Sequence, residues 1–277
     1  MLKTALVALD ASPFSETATT LALQWASRFG ARLIGLGILD TPSLTGREPV
    51  PLGASYFKRE RDVDRMLGAQ QHVADLLSRF QERCAAAGVK AEVFEEVGDA
   101  AACILREAHL CDVVILGHES HFHFETQDKP DETLAHVLSG SPRPIVVAPR
   151  DLIPGSGVIV AYGGGAEVAR TLQTVQLLGL VQGETVHVVS VSRKDQATER
   201  FADLAARFLE SHGVPYQVHL VESSANAGAV LLEHVREIRP QLLVMGAHTP
   251  HHLRDLFTAS ATRTILSTCP VPVLIGS

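Results

Sequence analysis

Two patterns of apolar positions alternate along this chain. Short, mainly apolar runs, such as residues 3–9 and 113–116, are typical of strands covered on both faces. Between the runs, apolar residues recur at the spacing of an amphipathic helix. The first such set is Ala18, Leu21, Ala22, Trp25, Ala26 and Phe29. Strands separated by helices of this length predict an α/β fold with a mainly parallel sheet and right-handed crossovers.

Turn residues mark where the first helix begins and ends. Ser12 can cap its start, Pro13 suits the first helical position, and Gly30 can end it. Residues 40–65 are rich in proline and glycine and predict a loop that leads into a longer helix. Helical spacing recurs at Val63, Met66, Leu67, Val73, Leu76, Leu77 and Phe80, at Ala101, Ile104, Leu105 and Ala108, and at Phe201, Leu204, Ala205, Phe208 and Leu209.

Four blocks of sequence occur twice, in the same order. Residues 6–12 align with 159–165, 33–36 with 186–189, 113–117 with 242–246, and 138–147 with 266–275. Such self-similarity indicates a duplication. A turn-rich stretch at residues 150–157 separates the copies. We therefore predict two domains, residues 1–150 and 157–277.

Composition narrows the class of protein. Hydrophobic residues make up 46% and charged residues 20%, which is typical of a folded globular protein, and the net charge of -7 argues against a nucleic-acid partner. No apolar run reaches the roughly 20 residues that a membrane-spanning helix needs. The N-terminal run reaches Asp10 too soon for a signal peptide. The four cysteines form no Cys-x-x-Cys pair, so we expect free thiols and a cytoplasmic protein.

Three segments resemble the universal stress protein family: Val7 to Ser12, Val244 to Gly246 followed by Ala259 and Ser260, and Cys269 to Leu274. The resemblance implies that each half is a Rossmann-like domain of the adenine nucleotide alpha hydrolase type, with five mainly parallel strands flanked by helices. It also implies that the closing strands, residues 144–147 and 270–275, pair with each other and join the domains within the chain. A homodimer and protein partners of unknown identity are further expectations.

The resemblance also directs attention to a phosphate-binding motif. Nucleotide-binding members carry Gly-x2-Gly-x9-Gly-Ser/Thr after the fourth strand, and glycine lets backbone N–H groups approach phosphates. In the second half these positions read Gly246, Thr249, Ala259 and Ser260. The family's early aspartate, which helps to hold the nucleoside, corresponds there to Gly163.

The first half keeps a different part of the motif. Asp10 and Gly117 are present, but Ser120 follows at the next position and residues 130–132 (Pro-Asp-Glu) lie where the last Gly-Ser pair belongs. Acidic residues there would repel phosphate. If the chain binds ATP, we expect it in the second domain. The alternative is that these glycines only form tight turns and that Asp10 only caps a helix.

Histidines are concentrated in two equivalent loops. His118, His121 and His123 follow Gly117, and His248, His251 and His252 follow Gly246. Imidazoles are good zinc ligands, and Glu119, Glu125, Asp128 or Asp255 could complete a site. The interpretation that we favour is that polar loops at a pocket mouth tolerate histidine, with or without an anionic ligand nearby.

No catalytic motif accompanies these features. The sequence has no nucleophile elbow, no P-loop and no kinase signature, and residues 163–165 (Gly-Gly-Gly) lack the spacing of a dinucleotide fingerprint. We therefore predict that the protein is not an enzyme, and the resemblance implies a role in the stress response. Three hypotheses stay open: an adenine-nucleotide sensor, a protein-interaction module without a ligand, and a zinc-binding protein.

Overall fold

A computed structural model describes residues 1–44, 55–120, 122, 132–192, 196–247 and 260–276. Strands and helices alternate through both halves, as the apolar pattern predicts. The strands of the first half are β1 (Thr4–Leu9), β2 (Arg32–Leu39), β3 (Ala91–Val97), β4 (Val113–Gly117) and β5 (Ile145–Ala148). Its helices are α1 (Pro13–Phe29), α2 (Thr41–Leu44), α3 (Ser55–Ala86), α4 (Ala100–Glu107) and α5 (Thr133–Gly140).

The second half repeats this order with one helix fewer in the described residues. Its strands are β6 (Val158–Ala161), β7 (Val186–Ser192), β8 (Tyr216–Glu222), β9 (Leu242–Gly246) and β10 (Val273–Gly276). Its helices are α6 (Ala166–Leu178), α7 (Gln196–Ser211), α8 (Ala227–Ile238) and α9 (Ser260–Thr268). The aligned sequence blocks occupy equivalent elements, so the two halves fold alike.

Among the described residues, the strands form one ten-stranded sheet in the order β3-β2-β1-β4-β5-β10-β9-β6-β7-β8. Neighbouring strands are parallel within each half. At the centre β5 and β10 pair antiparallel, with Ile145 opposite Ile275 and Val147 opposite Val273. This is the pairing of closing strands that the resemblance implied. It leaves β3 and β8 as the outermost strands.

The ends of α1 lie where the turn residues predicted them. The Ser12 hydroxyl accepts a hydrogen bond from the Ser15 backbone N–H at 3.1 Å, and Pro13 occupies the first turn. Gly30 ends the helix with a φ of 65°, which favours glycine because other residues meet steric resistance there.

Helix α3 corrects one expectation about the core. Val63 and Leu67 were predicted on its buried face, but they are 57% and 59% exposed. The reason is length: a 32-residue helix is about 48 Å long, whereas the eight residues of β2 span about 26 Å. Only the later part of α3 lies over the sheet, where Phe80 packs against Gly35 so closely that a Cβ there would lie 2.7 Å from the ring's Cε1.

The segment before α3 is less of a loop than predicted. Residues 41–44 form α2, and α3 begins at Ser55 rather than after residue 65. Leu44 is buried and packs with Leu39 and Ala69. Residues 45–54 lie outside the described residues.

In α7 the predicted apolar face is displaced. Ala202, Ala205 and Leu209 are buried, but Leu204 is 49% exposed because it lies on the opposite side of the helix from them. Small alanines therefore cover the sheet where larger side chains were expected.

Apolar side chains fill both faces of the sheet, and each core layer runs through both halves. The halves also meet away from the strand seam. The Leu2 N–H donates to the Leu178 carbonyl oxygen at 2.8 Å, and Arg28 forms a 3.1 Å ion pair with Glu184. In the described residues, no helix has the length and apolar character that crossing a membrane requires.

Candidate functional site

Each half has a crevice where the strand order reverses. The reversal falls between β1 and β4 in the first half and between β6 and β9 in the second. In open α/β sheets, ligands bind beyond the carboxyl ends of the strands at such a point. In the first crevice, Asp10 follows β1 and Gly117 is the last residue of β4. In the second, Gly163 lies just after β6 and Gly246 is the last residue of β9.

In the first half, the turn after β1 is closed by its own side chains. A carboxylate oxygen of Asp10 accepts from the Ser12 backbone N–H at 2.7 Å. The Ser15 hydroxyl accepts from the Asp10 N–H at 3.0 Å, while the Ser15 N–H donates to the Ser12 hydroxyl. All three residues are buried. The Asp10 carboxylate therefore holds Ser12, the N-cap residue of α1, in place.

Gly117 ends β4 against the first turn of α1. A Cβ at this position would lie 2.5 Å from the Phe14 Cβ and 3.1 Å from the Glu119 carbonyl oxygen. Real Cβ atoms do not approach other atoms so closely, so packing between strand and helix alone requires glycine here.

His118 is partly buried beside the same helix. Its ring lies 5.9 Å from the Phe14 ring, centroid to centroid, and its backbone N–H donates to the Ala148 carbonyl oxygen at 3.0 Å. Burial lowers the pKa of His118, and the negative charge of Glu119 partly opposes this. The side chain is therefore a neutral packing partner at pH 7.

Apolar packing continues beyond His118. Phe122 is 2% exposed and belongs to the same core layer as Leu134 and Val137 of α5. Glu132 stands at the N-cap of α5, where a carboxylate interacts favourably with the helix dipole and would repel phosphate. The first crevice thus offers an acidic helix start. His121, His123, Glu125, Asp128, Pro130 and Asp131 lie outside the described residues.

The second half has a bare turn at the equivalent place. Residues 163–165 are all glycine, and α6 begins at its N-cap Gly165 with no hydrogen bond from a capping side chain. Gly164 has a φ of 85°, which glycine tolerates. A Cβ at Gly163 would meet no atom of the described residues within 4 Å, so that part of the chain leaves the space beside Gly163 open.

Gly246 ends β9 directly against the start of α6. A Cβ there would lie 2.5 Å from the Val168 backbone nitrogen and 2.8 Å from its Cα. As at Gly117, this close approach requires glycine for packing. It also places the end of β9 beside the uncapped N–H groups of α6.

The remaining motif positions of the second half are only partly described. Ser260 is the first residue of α9, and its neighbour Ala261 packs so closely on α8 that a Cβ at Gly228 would lie 2.6 Å from the Ala261 carbonyl oxygen. Thr249 and Ala259 lie outside the described residues, as does the side chain of Ser260.

One acidic side chain faces the bare turn. Glu167 lies in the first turn of α6, and its Oε2 is 2.9 Å from the place of a Cβ on Gly165. This negative charge interacts favourably with the dipole at the start of α6. It would repel an anion bound at the same helix start. Sequence reasoning missed it, because the aligned residue of the first half is Phe14.

The predicted zinc ligands cannot be placed together. Of the six, only His118 is described; His121, His123, His248, His251 and His252 lie outside the described residues, as does Asp255. Within the described part of the chain, no group of three or more His, Cys, Asp or Glu residues is arranged to hold a metal ion. The zinc hypothesis stays a prediction about residues that the structure does not describe.

A different set of histidines does come together. His187 Nδ1 lies 3.1 Å from His219 Nε2, and the His219 and His234 rings meet edge to face with centroids 5.9 Å apart. Burial lowers the pKa of His187 and of His219, and each neighbouring histidine adds to the effect. Sequence spacing gave no hint of this cluster, because it depends on the register of β7 and β8 and on where α8 crosses them.

The cysteines are free, as predicted, and three of the four are buried. Burial raises the pKa of the Cys111 thiol to about 12 and that of Cys269 to about 11. Both remain protonated thiols at neutral pH, which makes them poor nucleophiles.

Comparisons with known proteins agree with this architecture. The sequence profile of the Universal stress protein family matches residues 1–149 and again residues 157–276. A curated universal stress protein from Synechocystis sp. is 25% identical over 286 aligned positions, which cover 99% of each chain.

Solved structures show the same fold. A universal stress protein from Archaeoglobus fulgidus aligns with a TM-score of 0.72 at 18% identity, covering 99% of this chain and 96% of that chain. A functionally unknown protein from Pseudomonas aeruginosa aligns with a TM-score of 0.63 at 15% identity, covering 99% and 92%.

Proposed function

Because the chain belongs to the universal stress protein family, we propose that it serves the stress response in the cytoplasm and binds one adenine nucleotide in its C-terminal half. The observation that carries the proposal is the bare turn of residues 163–165 at the uncapped start of α6, beside Gly246. The choice of an adenine nucleotide comes from the resemblance of the motif positions to those of nucleotide-binding members.

Helix electrostatics supports an anion at this place. The first backbone N–H groups of a helix have no partner within the helix, and the dipole favours negative charge there. At the start of α6 the N-cap Gly165 supplies no side chain, and within the described residues no capping side chain bonds these donors. A phosphate can therefore accept from them without displacing a protein group, and the open space beside Gly163 leaves room for the rest of a ligand.

We propose no nucleotide for the first half. The Ser12 hydroxyl already caps α1, and the Asp10 carboxylate already accepts from the Ser12 N–H, so the start of this helix is partly occupied by the protein's own side chains. Glu132 at the N-cap of α5 adds a negative charge where a phosphate would bind. We therefore propose one nucleotide-binding site per chain.

A second candidate is an interaction module that binds no nucleotide. The carboxylate of Glu167 beside Gly165 favours it, because a negative charge at the start of α6 weakens phosphate binding. Both candidates treat the protein as a sensor or adaptor rather than an enzyme.

Isothermal titration calorimetry of the full chain with ATP and magnesium separates the two candidates. We expect saturable heat with one nucleotide per chain. Gly163→Leu fills the open space and is expected to abolish binding, whereas Ala11→Leu, an exposed position in the equivalent turn, should leave it unchanged. No heat at millimolar nucleotide rejects the nucleotide proposal in favour of the interaction module.

A further inference from the structure

Strand β8 lies at one outer edge of the sheet. It pairs with β7, and no strand in the described part of the chain pairs with its other side. An edge strand exposes backbone donors and acceptors that can pair with another strand, and proteins commonly protect such edges with charge or a covering element. The composition of β8 therefore bears on whether this edge binds a partner.

The hydrogen-bond pattern between β7 and β8 shows which residues of β8 direct their backbone N–H and C=O groups away from the sheet. The Val186 N–H donates to the Pro215 carbonyl oxygen at 2.8 Å. In a parallel ladder, alternate residues then bond to the neighbour, so Gln217, His219 and Val221 direct their backbone groups toward β7. Tyr216, Val218 and Leu220 direct theirs away from the sheet. These three residues also carry exposed side chains, at 37%, 39% and 50%.

The opposite edge strand, β3, is protected by charge. It contains Glu92, Glu95 and Glu96, and two of these hold ion pairs, Glu92 with Arg32 and Glu96 with Arg106. An antiparallel pair of β3 strands centred on Phe94 would place Glu92 of each copy opposite Glu96 of the other. Like charges directly opposite each other destabilise a strand pair.

From this contrast we infer that β8 is the docking edge for a second copy of this chain, paired antiparallel about a twofold axis at His219. His219 is the middle residue of the strand. In this register Val218 faces the partner's Leu220, Tyr216 faces the partner's Glu222, and Gln217 faces the partner's Val221. All outward backbone groups of the strand meet outward groups of its partner, and no two carboxylates are opposed.

The sheet itself favours a second copy over an unrelated partner. At β5 and β10 this fold already joins equivalent halves by antiparallel pairing of closing strands. A twofold contact needs a surface that is complementary to itself, which β8 offers through its central Val218 and Leu220. The dimer would extend one continuous sheet through both chains.

Sedimentation velocity of the full chain over the micromolar range tests the inference. We expect a concentration-dependent dimer. Val218→Lys should raise its dissociation constant about tenfold or more, because it buries a charge opposite the partner's Leu220. Val97→Lys places the same charge on β3, where the side chain is 59% exposed, and should leave the dimer unchanged.

A crosslink tests the register independently of affinity. Facing residues of a non-hydrogen-bonded antiparallel pair lie within disulfide distance, so His219→Cys should give an oxidised covalent dimer, and Val97→Cys should not. A single-chain mass throughout the concentration range overturns the inference. So does a dimer that Val218→Lys leaves intact and that His219→Cys fails to crosslink, since its interface must then lie elsewhere.

Discussion

The first strand-to-helix turns of the two halves hold equivalent places in the fold but differ in their chemistry. In the first half Asp10, Ser12 and Ser15 satisfy the start of α1 with their own side chains. In the second half residues 163–165 carry no side chains, and α6 starts without a side-chain cap. The closed turn stabilises its helix from within, whereas no described side chain caps the start of α6. We propose that, of the two copies, only the second binds a nucleotide.

The glycines that end β4 and β9 show what the halves share. Both stand where a Cβ would collide with the first helix of their own half. Gly246→Ala and Gly117→Ala are therefore each expected to lower the free energy of unfolding by about 1–3 kcal/mol, as overpacking does. Urea unfolding curves measure the effect. If only Gly246→Ala were destabilising, the shared packing role would be wrong.

The starts of α1 and α6 differ in whether a side chain caps the helix. Ser12→Ala removes a capping hydroxyl and should cost about 1 kcal/mol. Gly165→Ser offers α6 the cap that it lacks and should raise stability by a few tenths of a kcal/mol while weakening nucleotide binding. Thermal unfolding and calorimetry with ATP measure the two effects. Tighter ATP binding by Gly165→Ser would contradict the role given to the bare turn.

Glu167 sets the electrostatics of the bare turn. Glu167→Gln removes the negative charge at the start of α6 and should tighten ATP binding about two- to fivefold, since charges at a helix end contribute about 0.3–1 kcal/mol. Glu16→Gln is the matched control in the first turn of α1, where Glu16 pairs with Arg83. It should leave ATP affinity unchanged, and equal effects of the two variants would show that ATP responds only to net charge.

Low pH should lower the stability of the fold through the histidine cluster of the second half. The folded-state pKa values of His187 and His219 are lowered, so the unfolded chain takes up protons first as the pH falls. Their contribution to stability is present above the ordinary histidine pKa of about 6.5 and is lost as the pH falls through the lowered values. His219→Gln should make the unfolding midpoint less sensitive to pH between about 7 and 5. An unchanged pH profile would show that the cluster does not titrate with folding.

Local sequence signals predicted the fold well because they act over a few residues. Ser12, Pro13 and Gly30 fix the ends of α1, and repeated apolar blocks locate the strands. The exposure of Val63 and Leu67 escaped prediction because it depends on how far α3 extends beyond the sheet. The spacing of apolar residues shows which face of a helix is apolar. It does not show whether the sheet covers that face along its whole length.

The candidate site was only partly predictable for a related reason. The loss of Asp10's counterpart at Gly163 and the retention of Gly246 are visible in the sequence. The capping network around Asp10, the collision at Val168 and the position of Glu167 arise from the packing of strand against helix. The sequence therefore located the two crevices, and the described residues show a side-chain cap at the start of α1 and none at the start of α6.

Amide shifts of glycines test the central claim most directly, because glycines line both crevices. In full-length protein labelled with ¹⁵N-glycine, ATP with magnesium should shift the amide signals of Gly163, Gly164, Gly165 and Gly246 and leave that of Gly117 in place. Shifts at Gly117, or no shifts in either half, would contradict the assignment of one nucleotide site to the second half.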